Sequence, residues 1–192
     1  MPLLHSRHVA PSVRAAAAGI LALLAVAAPA TIARAQSDVT GTVRSQHGAW
    51  AVVCDQPPGA SSEQCVLLQR VVDEARPEID LSVVAFKTAD GKARILRVRA
   101  PLGVILSPPQ GGLGLFVDGK KFGSINFLRC YSDGCYAETS LDMIADNQRS
   151  VSLLDVLSNG KSAVFSIFQT PEAGIGVDVD LTGFKDGFAA LP

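Results

Sequence analysis

Two turn signals of the same kind lie in the middle of the chain. Asp118-Gly119 and Asp133-Gly134 each stand between apolar and aromatic runs within the stretch 111–138. An Asp-Gly pair between strand-like runs is among the strongest short-range signals for a β-hairpin. The stretch therefore predicts a three-stranded meander in which Cys130 and Cys135 face each other across the second turn.

The start of the chain has the features of a secretory signal peptide. Basic residues precede an apolar stretch over 15–28, and Ala33-Arg34-Ala35 then forms an A-x-A cleavage site. The apolar stretch is too short and too rich in alanine for a good membrane span, although an uncleaved anchor is the alternative interpretation. We therefore expect residues 1–35 to be removed, and we expect the mature protein, 36–192, to have no transmembrane span.

The mature part has the length of one domain and an acidic balance. Residues 36–192 are enough to bury a single hydrophobic core. Loss of Arg7, Arg14 and Arg34 with the signal peptide shifts the formal net charge from -1 to -4. A mildly acidic domain is a poor candidate for general nucleic-acid binding, so no nucleic-acid partner is expected.

All the cysteines lie in the part that is expected to be exported, at Cys54, Cys65, Cys130 and Cys135. An even number of cysteines in an oxidising compartment favours disulfides. Zinc is the rival interpretation, but it needs closely spaced cysteine pairs or nearby histidines, and His47 is the only histidine after residue 35. The local pairing, Cys54–Cys65 with Cys130–Cys135, needs the least chain closure. We predict these disulfides, no metal ligands and no cofactor.

Alternating apolar and polar residues predict strands along most of the mature chain. Trp50, Val52 and Cys54 share one face of a strand over 49–54, and Trp50 is the expected core anchor. Similar patterns predict strands over 64–72, 78–86, 92–99, 162–169 and 175–181. Many strands at short spacing, with turn signals between them, predict a single β-sandwich or a partly closed antiparallel barrel with one to three short helices.

The pattern changes after the last cysteine, where short helices are predicted. They span 140–149, with Ser140 as N-cap; 150–158, closed by Asn159-Gly160; and 183–191, capped by Thr182. A strand over 150–158, with Asn159-Gly160 as a hairpin turn, is the alternative for the second segment. Phe184 and Phe188 are expected to pack the last helix on the sheet.

The chain contains no recognised catalytic motif. It has no G-x-S-x-G, P-loop, H-E-x-x-H or C-x-x-C sequence. A Ser-His-Asp triad would have to use His47, and paired cysteines leave no reactive thiol. Asp178 and Asp180 share a strand face and would be able to flank a sugar bond or bind calcium, but a solvated strand face is the simpler explanation. We expect no catalytic residue and no enzymatic activity.

Positive charge is concentrated on one predicted strand, which carries Lys92, Arg94, Arg97 and Arg99. The central stretch adds Lys120, Lys121 and Arg129. Arg97 and Arg99 point the same way. If the two strands are neighbours, Arg97, Arg99, Lys120 and Lys121 form a cationic patch that would bind phosphate or an acidic sugar. The alternative is a solvated edge whose charges discourage aggregation between strands.

A series of short motifs runs along the mature chain. The motifs are W-x-V-x-C from Trp50, followed by Cys65; P-L-G-V-I-L from Pro101; G-L-x-V-D from Gly114; F-x-x-C from Phe127; G-C-Y-A-E from Gly134; V-F-x-I-F-Q-T-P from Val164; and L-x-G-F from Leu181. In this order they resemble the invasion-associated locus B family of bacterial exported proteins. The stretch 141–157 is longer here than the single helix that is usual in the family.

The resemblance covers nearly all of the mature chain and carries expectations about function. It implies a disulfide-containing β-rich protein of the periplasm or outer membrane, or a secreted one. The family name comes from members linked to host-cell entry, so we expect a non-enzymatic protein that binds an unknown protein or an anionic envelope or host glycan. The alternatives are a secreted hydrolase with an unrecognised carboxylate site and a structural envelope or stress protein.

Overall fold

The computed structural model describes residues 41–109, 111–142, 144–146 and 149–192, without the side chains of 144–146, 149 and 150. The predicted signal peptide, 1–35, and its cleavage site lie outside the described residues. Among the described helices, none is long and apolar enough to cross a membrane.

Strands make up most of the described chain. They are β1 (Thr42–His47), β2 (Trp50–Asp55), β3 (Gln64–Asp73), β4 (Arg76–Lys87), β5 (Arg94–Ala100), β6 (Leu113–Val117), β7 (Lys120–Ile125), β8 (Phe127–Tyr131), β9 (Gly134–Ser140), β10 (Ile144–Asp146), β11 (Arg149–Val151), β12 (Ser162–Thr170) and β13 (Ala173–Asp180). The described helices are α1 (Leu153–Asn159) and α2 (Phe184–Ala189). The predicted mainly β class is confirmed.

The strands form two antiparallel sheets that face each other. The large sheet has the order β1-β2-β3-β4-β5-β9-β8, and the small sheet has the order β13-β12-β6-β7. β13 packs on β3 and β7 packs on β9, so the small sheet covers one face of the large sheet. Since neither sheet closes on itself, the fold is an open sandwich and not a barrel. Among the described strands, β10 and β11 pair with each other and with no other strand.

The core lies between the two sheets. Because side chains alternate between the two faces of a strand, every second residue of a strand points into the core. On β5 the side chains of Leu96, Val98 and Ala100 are buried, whereas Arg97 and Arg99 face away from the small sheet. β13 repeats the pattern, with alternate residues buried from Ile175 onward. The face of β5 that carries the arginines is therefore the outer face of the large sheet.

Trp50 anchors one end of this core, as predicted. Its side chain is almost fully buried, and its Nε1 donates a hydrogen bond of 2.8 Å to the Asp180 carbonyl oxygen on the facing sheet. Its ring meets Phe184 of α2 edge to face, with 5.0 Å between the ring centroids. Phe188 is also buried, so the predicted docking of Phe184 and Phe188 is confirmed.

The predicted cap of the last helix is wrong by one residue. Gly183 is the N-cap of α2, without a side-chain hydrogen bond, and it has φ 90°. A Cβ atom at this position would lie 2.1 Å from the His47 carbonyl oxygen. Only glycine tolerates both the positive φ and this close approach, so Thr182 is left outside the cap.

The predicted three-stranded meander is also wrong, although both of its turns are present. Asp118 and Gly119 have φ 48° and 78°, and Cys130 faces Cys135 across the second turn. However, β6 and β7 belong to the small sheet, whereas β8 and β9 belong to the large sheet. The chain changes sheet at Asn126, where the Phe127 N–H donates to the Leu106 carbonyl oxygen at 3.1 Å. A turn signal fixes which strands pair locally, but it does not fix which sheet they join.

The helix predicted over 140–149 is wrong, because β9 continues to Ser140 and the described segments β10 and β11 pair as antiparallel strands. The predicted capping contact exists, because Ser140 Oγ accepts a hydrogen bond of 3.0 Å from the Asp142 N–H. The Leu141 N–H, however, donates to the Arg94 carbonyl oxygen at 2.8 Å and so extends the β5–β9 ladder. The second predicted helix is confirmed over Leu153–Asn159, with Ser152 as its N-cap.

Candidate anion-binding face

Both predicted disulfides are confirmed, and each joins directly opposed residues of adjacent strands. Cys54–Cys65 links β2 to β3, and Cys130–Cys135 links β8 to β9. Glu63 lies beside Cys54 and Cys65, and the three residues have the spacing of metal ligands. Both cysteine sulfur atoms, however, are committed to the disulfide. The second pair holds the edge strand β8 on the outer end of the large sheet.

A row of polar side chains crosses the outer face of the large sheet. Cross-strand pairing places Arg70 opposite Ser82, Ser82 opposite Arg99, Arg99 opposite Tyr136, and Tyr136 opposite Arg129. Directly opposed side chains of antiparallel strands have Cβ atoms about 5 Å apart. The row therefore brings three guanidinium groups, a hydroxyl and a phenol onto one continuous surface.

Asp80 joins two of these arginines. Its Oδ2 atom accepts a hydrogen bond of 2.9 Å from Arg70 and another from Arg99. Arg99 also donates from Nη1 to the Asp133 carbonyl oxygen at 2.9 Å. These contacts leave the Arg99 side chain only 17% exposed, so its guanidinium is held in one orientation.

Glu138 joins a second pair of arginines in the same way. Its Oε1 atom accepts hydrogen bonds of 2.8 Å from Arg97 Nε and 2.7 Å from Arg129 Nη2. The Arg97 guanidinium also lies over the Phe86 ring, at 4.9 Å from its centroid. Within the described residues, the terminal nitrogens of Arg97 donate no hydrogen bond. Arg97 is therefore held by Glu138 and Phe86, while the N–H groups of its terminal nitrogens remain available as donors.

The resulting surface has more positive than negative charge. We call it the guanidinium face, and it consists of Arg70, Arg97, Arg99, Arg129, Asp80 and Glu138. The four arginines exceed the two carboxylates, so the formal charge of the group is +2, and the Asp133 carboxylate beside Tyr136 lowers the sum over the face and its tyrosine edge to +1. The whole chain, in contrast, has a formal net charge of -1.

Two tyrosines close the edge of the guanidinium face beside Arg129. The rings of Tyr131 and Tyr136 meet edge to face, with centroids 5.8 Å apart, and Tyr131 is 59% exposed. The Tyr136 hydroxyl donates to an Asp133 carboxylate oxygen. Partial burial, and then the hydrogen bond and charge of Asp133, raise the pKa of Tyr136 above its usual value. Its hydroxyl therefore remains a neutral donor.

The residues predicted for a cationic patch lie on different sheets. Arg97 and Arg99 belong to the guanidinium face, whereas Lys120 and Lys121 begin β7 on the edge of the small sheet. The Lys120 ammonium lies over the Phe122 ring, at 4.7 Å from its centroid. Binding of one ligand by all four predicted residues stays a prediction.

Two members of the guanidinium face were outside the predicted patch. Arg129 belongs to the basic residues of the central stretch but not to the predicted patch, and Arg70 belongs to neither. The signal for Arg70 was present, because the strand predicted over 64–72 places it on the face opposite Leu67, and a hairpin through 73–77 returns the next strand beside it. The signal for Arg129 was its position one strand from Tyr136 in the second hairpin.

The carboxylates that the sequence suggests as catalytic or calcium-binding candidates lie outside the guanidinium face. Asp178 and Asp180 are exposed on the edge strand β13, and hydrogen bonds from Thr182 hold the pKa of Asp180 below its usual value. A cleft of about 470 Å³ between β13 and the β3–β4 turn is lined in part by Asp73 and Asp178. Burial favours a higher pKa for Asp73, but hydrogen bonds from Arg76 and Ala75 outweigh it and lower the pKa. Asp73 therefore serves the turn as an ionised acceptor.

Comparison with known proteins identifies the family. The family model described as invasion associated locus B (IalB) protein matches residues 50–192. No curated protein and no solved structure matches the chain. The matched region begins at Trp50 and includes both disulfides and the whole guanidinium face. The chain therefore belongs to the invasion associated locus B family.

Proposed function

We propose that this protein is an exported, non-enzymatic protein of the envelope that binds an anionic partner through the guanidinium face. The observation that carries the proposal is the excess of guanidinium groups over carboxylates on a surface of paired strands. The partner is an anionic component of the envelope or of a host cell, and binding it is how the protein contributes to envelope function or host contact.

The ion pairs on this face organise the arginines without using up their donors. A guanidinium has five N–H groups, and each arginine of the face uses only some of them on Asp80, Glu138 or the backbone. Arg70, Arg97 and Arg129 have side chains that are 37%, 35% and 42% exposed. Because the side chains are held in place beforehand, binding an anion costs less conformational entropy than it would for free arginines.

The expected affinity for a single anionic group is low. Exposed ion pairs contribute about 0.2–1 kcal/mol each and weaken with salt. A partner that presents several anionic groups along the cross-strand row would gain from each of them at once. We therefore expect retention on a polyanion to be strong at low salt and to fall steeply toward physiological salt.

A pair of charge-matched variants tests this proposal. Arg97→Gln with Arg129→Gln removes two positive charges from the face, and Lys92→Gln with Lys185→Gln removes two from exposed positions outside it. Salt elution from an immobilised polyanion is expected to shift to lower salt for the arginine variant only. Equal shifts would attribute retention to net charge, and no shift in a folded arginine variant would contradict the proposal.

Export rests on the predicted signal peptide and on the disulfides, which fit an extracytoplasmic location. We propose the periplasm or the outer membrane as that location. The intact mass of the protein recovered from envelope fractions is expected to correspond to an N-terminus at Gln36. A mass that retains Met1 would contradict cleavage after Ala35.

A further inference from the structure

We infer that the anionic partner is a sulfated or phosphorylated glycan, with a sugar ring packed on Tyr131 and its charged groups bound by Arg129 and Arg97. This inference rests on the proposed function, because it names the chemical class of the partner of the guanidinium face. The aromatic edge of that face carries the added information.

Tyr131 is exposed although it is a large aromatic residue on a paired strand. The edge-to-face contact with Tyr136 holds its ring in place on one side. Tyr136 is in turn fixed by its hydrogen bond to Asp133, and the Cys130–Cys135 disulfide joins the adjacent strands β8 and β9 that carry the two rings. The structure therefore holds one face of an aromatic ring toward solvent.

This ring lies directly beside the arginines. Tyr131 is two residues from Arg129 on β8 and shares its face, and Tyr136 is the cross-strand neighbour of both Arg129 and Arg99. Tyr131 pairs with Gly134 and Arg97 pairs with Glu138, which lies four residues further along β9. With two strand spacings of about 4.8 Å and about 3.3 Å per residue along the strand, Tyr131 and Arg97 are roughly 16 Å apart. A sugar ring on Tyr131 would therefore place anionic groups near Arg129 first, and an oligosaccharide of several rings would extend to Arg97.

The combination of an exposed aromatic ring with guanidinium groups favours a charged sugar over other polyanions. One face of a pyranose ring exposes C–H groups, which pack on an aromatic face and bury apolar surface. Sulfate and phosphate esters accept paired hydrogen bonds from guanidinium groups. Sugar hydroxyls would find partners in Ser82 and in the tyrosine hydroxyls. A polyphosphate chain offers the charges but has no apolar ring for Tyr131.

The test compares two soluble probes on the exported protein. The first is a heparin hexasaccharide, which carries sulfated rings, and the second is a polyphosphate of similar charge, which has no ring. Tyr131→Ala is expected to weaken hexasaccharide binding about five-fold, the amount that burial of a few tens of Å² of apolar surface contributes, and to change polyphosphate binding less than about two-fold. Tyr131→Phe, which keeps the ring, is expected to bind the hexasaccharide within about two-fold of wild type.

The outcomes separate this inference from the proposed function. If wild type binds both probes and Tyr131→Ala binds the hexasaccharide as tightly as wild type does, the guanidinium face binds polyanions but the sugar assignment is wrong. If wild type binds polyphosphate but not the hexasaccharide, the guanidinium face still binds polyanions and the sugar assignment is again wrong. If wild type binds neither soluble probe, the proposed function and the inference both fail.

Discussion

The two faces of β5 differ in burial and charge, since the inner face packs in the core and the outer face carries the candidate binding site. The inner face presents Leu96 and Val98 to the small sheet, where both are buried. The outer face presents Arg97 and Arg99, which make ion pairs and remain partly exposed. Because the faces alternate residue by residue, a single strand supports the core and carries the candidate site, and adjacent substitutions should affect different properties.

The largest effect is expected on the inner face. Leu96→Ala removes a fully buried side chain and should lower the free energy of unfolding by about 2–5 kcal/mol. Arg97→Gln, the neighbouring substitution, removes one partly exposed ion pair and should lower it by about 0.2–1 kcal/mol. Urea unfolding of the two variants measures the difference. Equal losses would contradict the separation of the two faces.

The disulfides provide a second comparison, between the covered and the exposed ends of the large sheet. Cys54 and Cys65 are 11 residues apart, and Cys130 and Cys135 are 5 apart. Closure entropy then predicts that double Ser variants lose about 3 and about 2 kcal/mol, respectively. Thermal unfolding under non-reducing conditions measures these losses.

The loss of polyanion binding should follow the opposite order, with the larger loss on removal of Cys130–Cys135. Removal of the second pair frees β8 and should weaken polyanion binding, because Arg129 and Tyr131 lie on that strand. Removal of the first pair leaves the guanidinium face intact. A larger loss of binding in the Cys54→Ser/Cys65→Ser protein would contradict the assigned role of β8.

A smaller, pH-dependent effect is expected in the small sheet. Hydrogen bonds from the Ser162 and Lys161 N–H groups hold the pKa of Asp118 below its ordinary value of 3.8. A carboxylate with a lowered pKa in the folded state stabilises the protein above that ordinary value and loses this contribution as pH falls through the folded pKa. Asp118→Asn tolerates the positive φ at this position but does not titrate.

The stability difference between wild type and Asp118→Asn should therefore be largest above about pH 4 and should shrink at lower pH. Unfolding curves recorded over a series of acidic buffers measure it. A difference that stays constant down to the acid limit would show that the charge of Asp118 does not stabilise the turn.

Local patterns predicted most of the strands and the disulfides, because both depend on short stretches of sequence. The alternation of apolar and polar residues on β13, and on the strand that contains Trp50, is visible within each segment alone. The exchange of sheets at Asn126 depends instead on the Phe127 hydrogen bond to Leu106, which is about twenty residues away along the chain. No local period encodes such a contact.

The candidate site was predicted only in part for a related reason. Arg97 and Arg99 lie on one strand, so their shared face follows from the period of two. Arg70 and Arg129 join them through strand order, since β3 and β8 lie on opposite sides of the β4-β5-β9 centre. The grouping of Lys120 and Lys121 with the arginines requires that their strand lies beside β5, whereas β7 lies in the small sheet.

An NMR titration of the isotope-labelled protein with the heparin hexasaccharide tests the central claim most directly. We predict that the amide signals that shift belong to β5, β8 and β9, around Arg97, Arg129 and Tyr136, and that the shifts weaken with added salt. Shifts confined to β7, around Lys120 and Lys121, or to α2 would contradict the assignment of the guanidinium face as the binding surface.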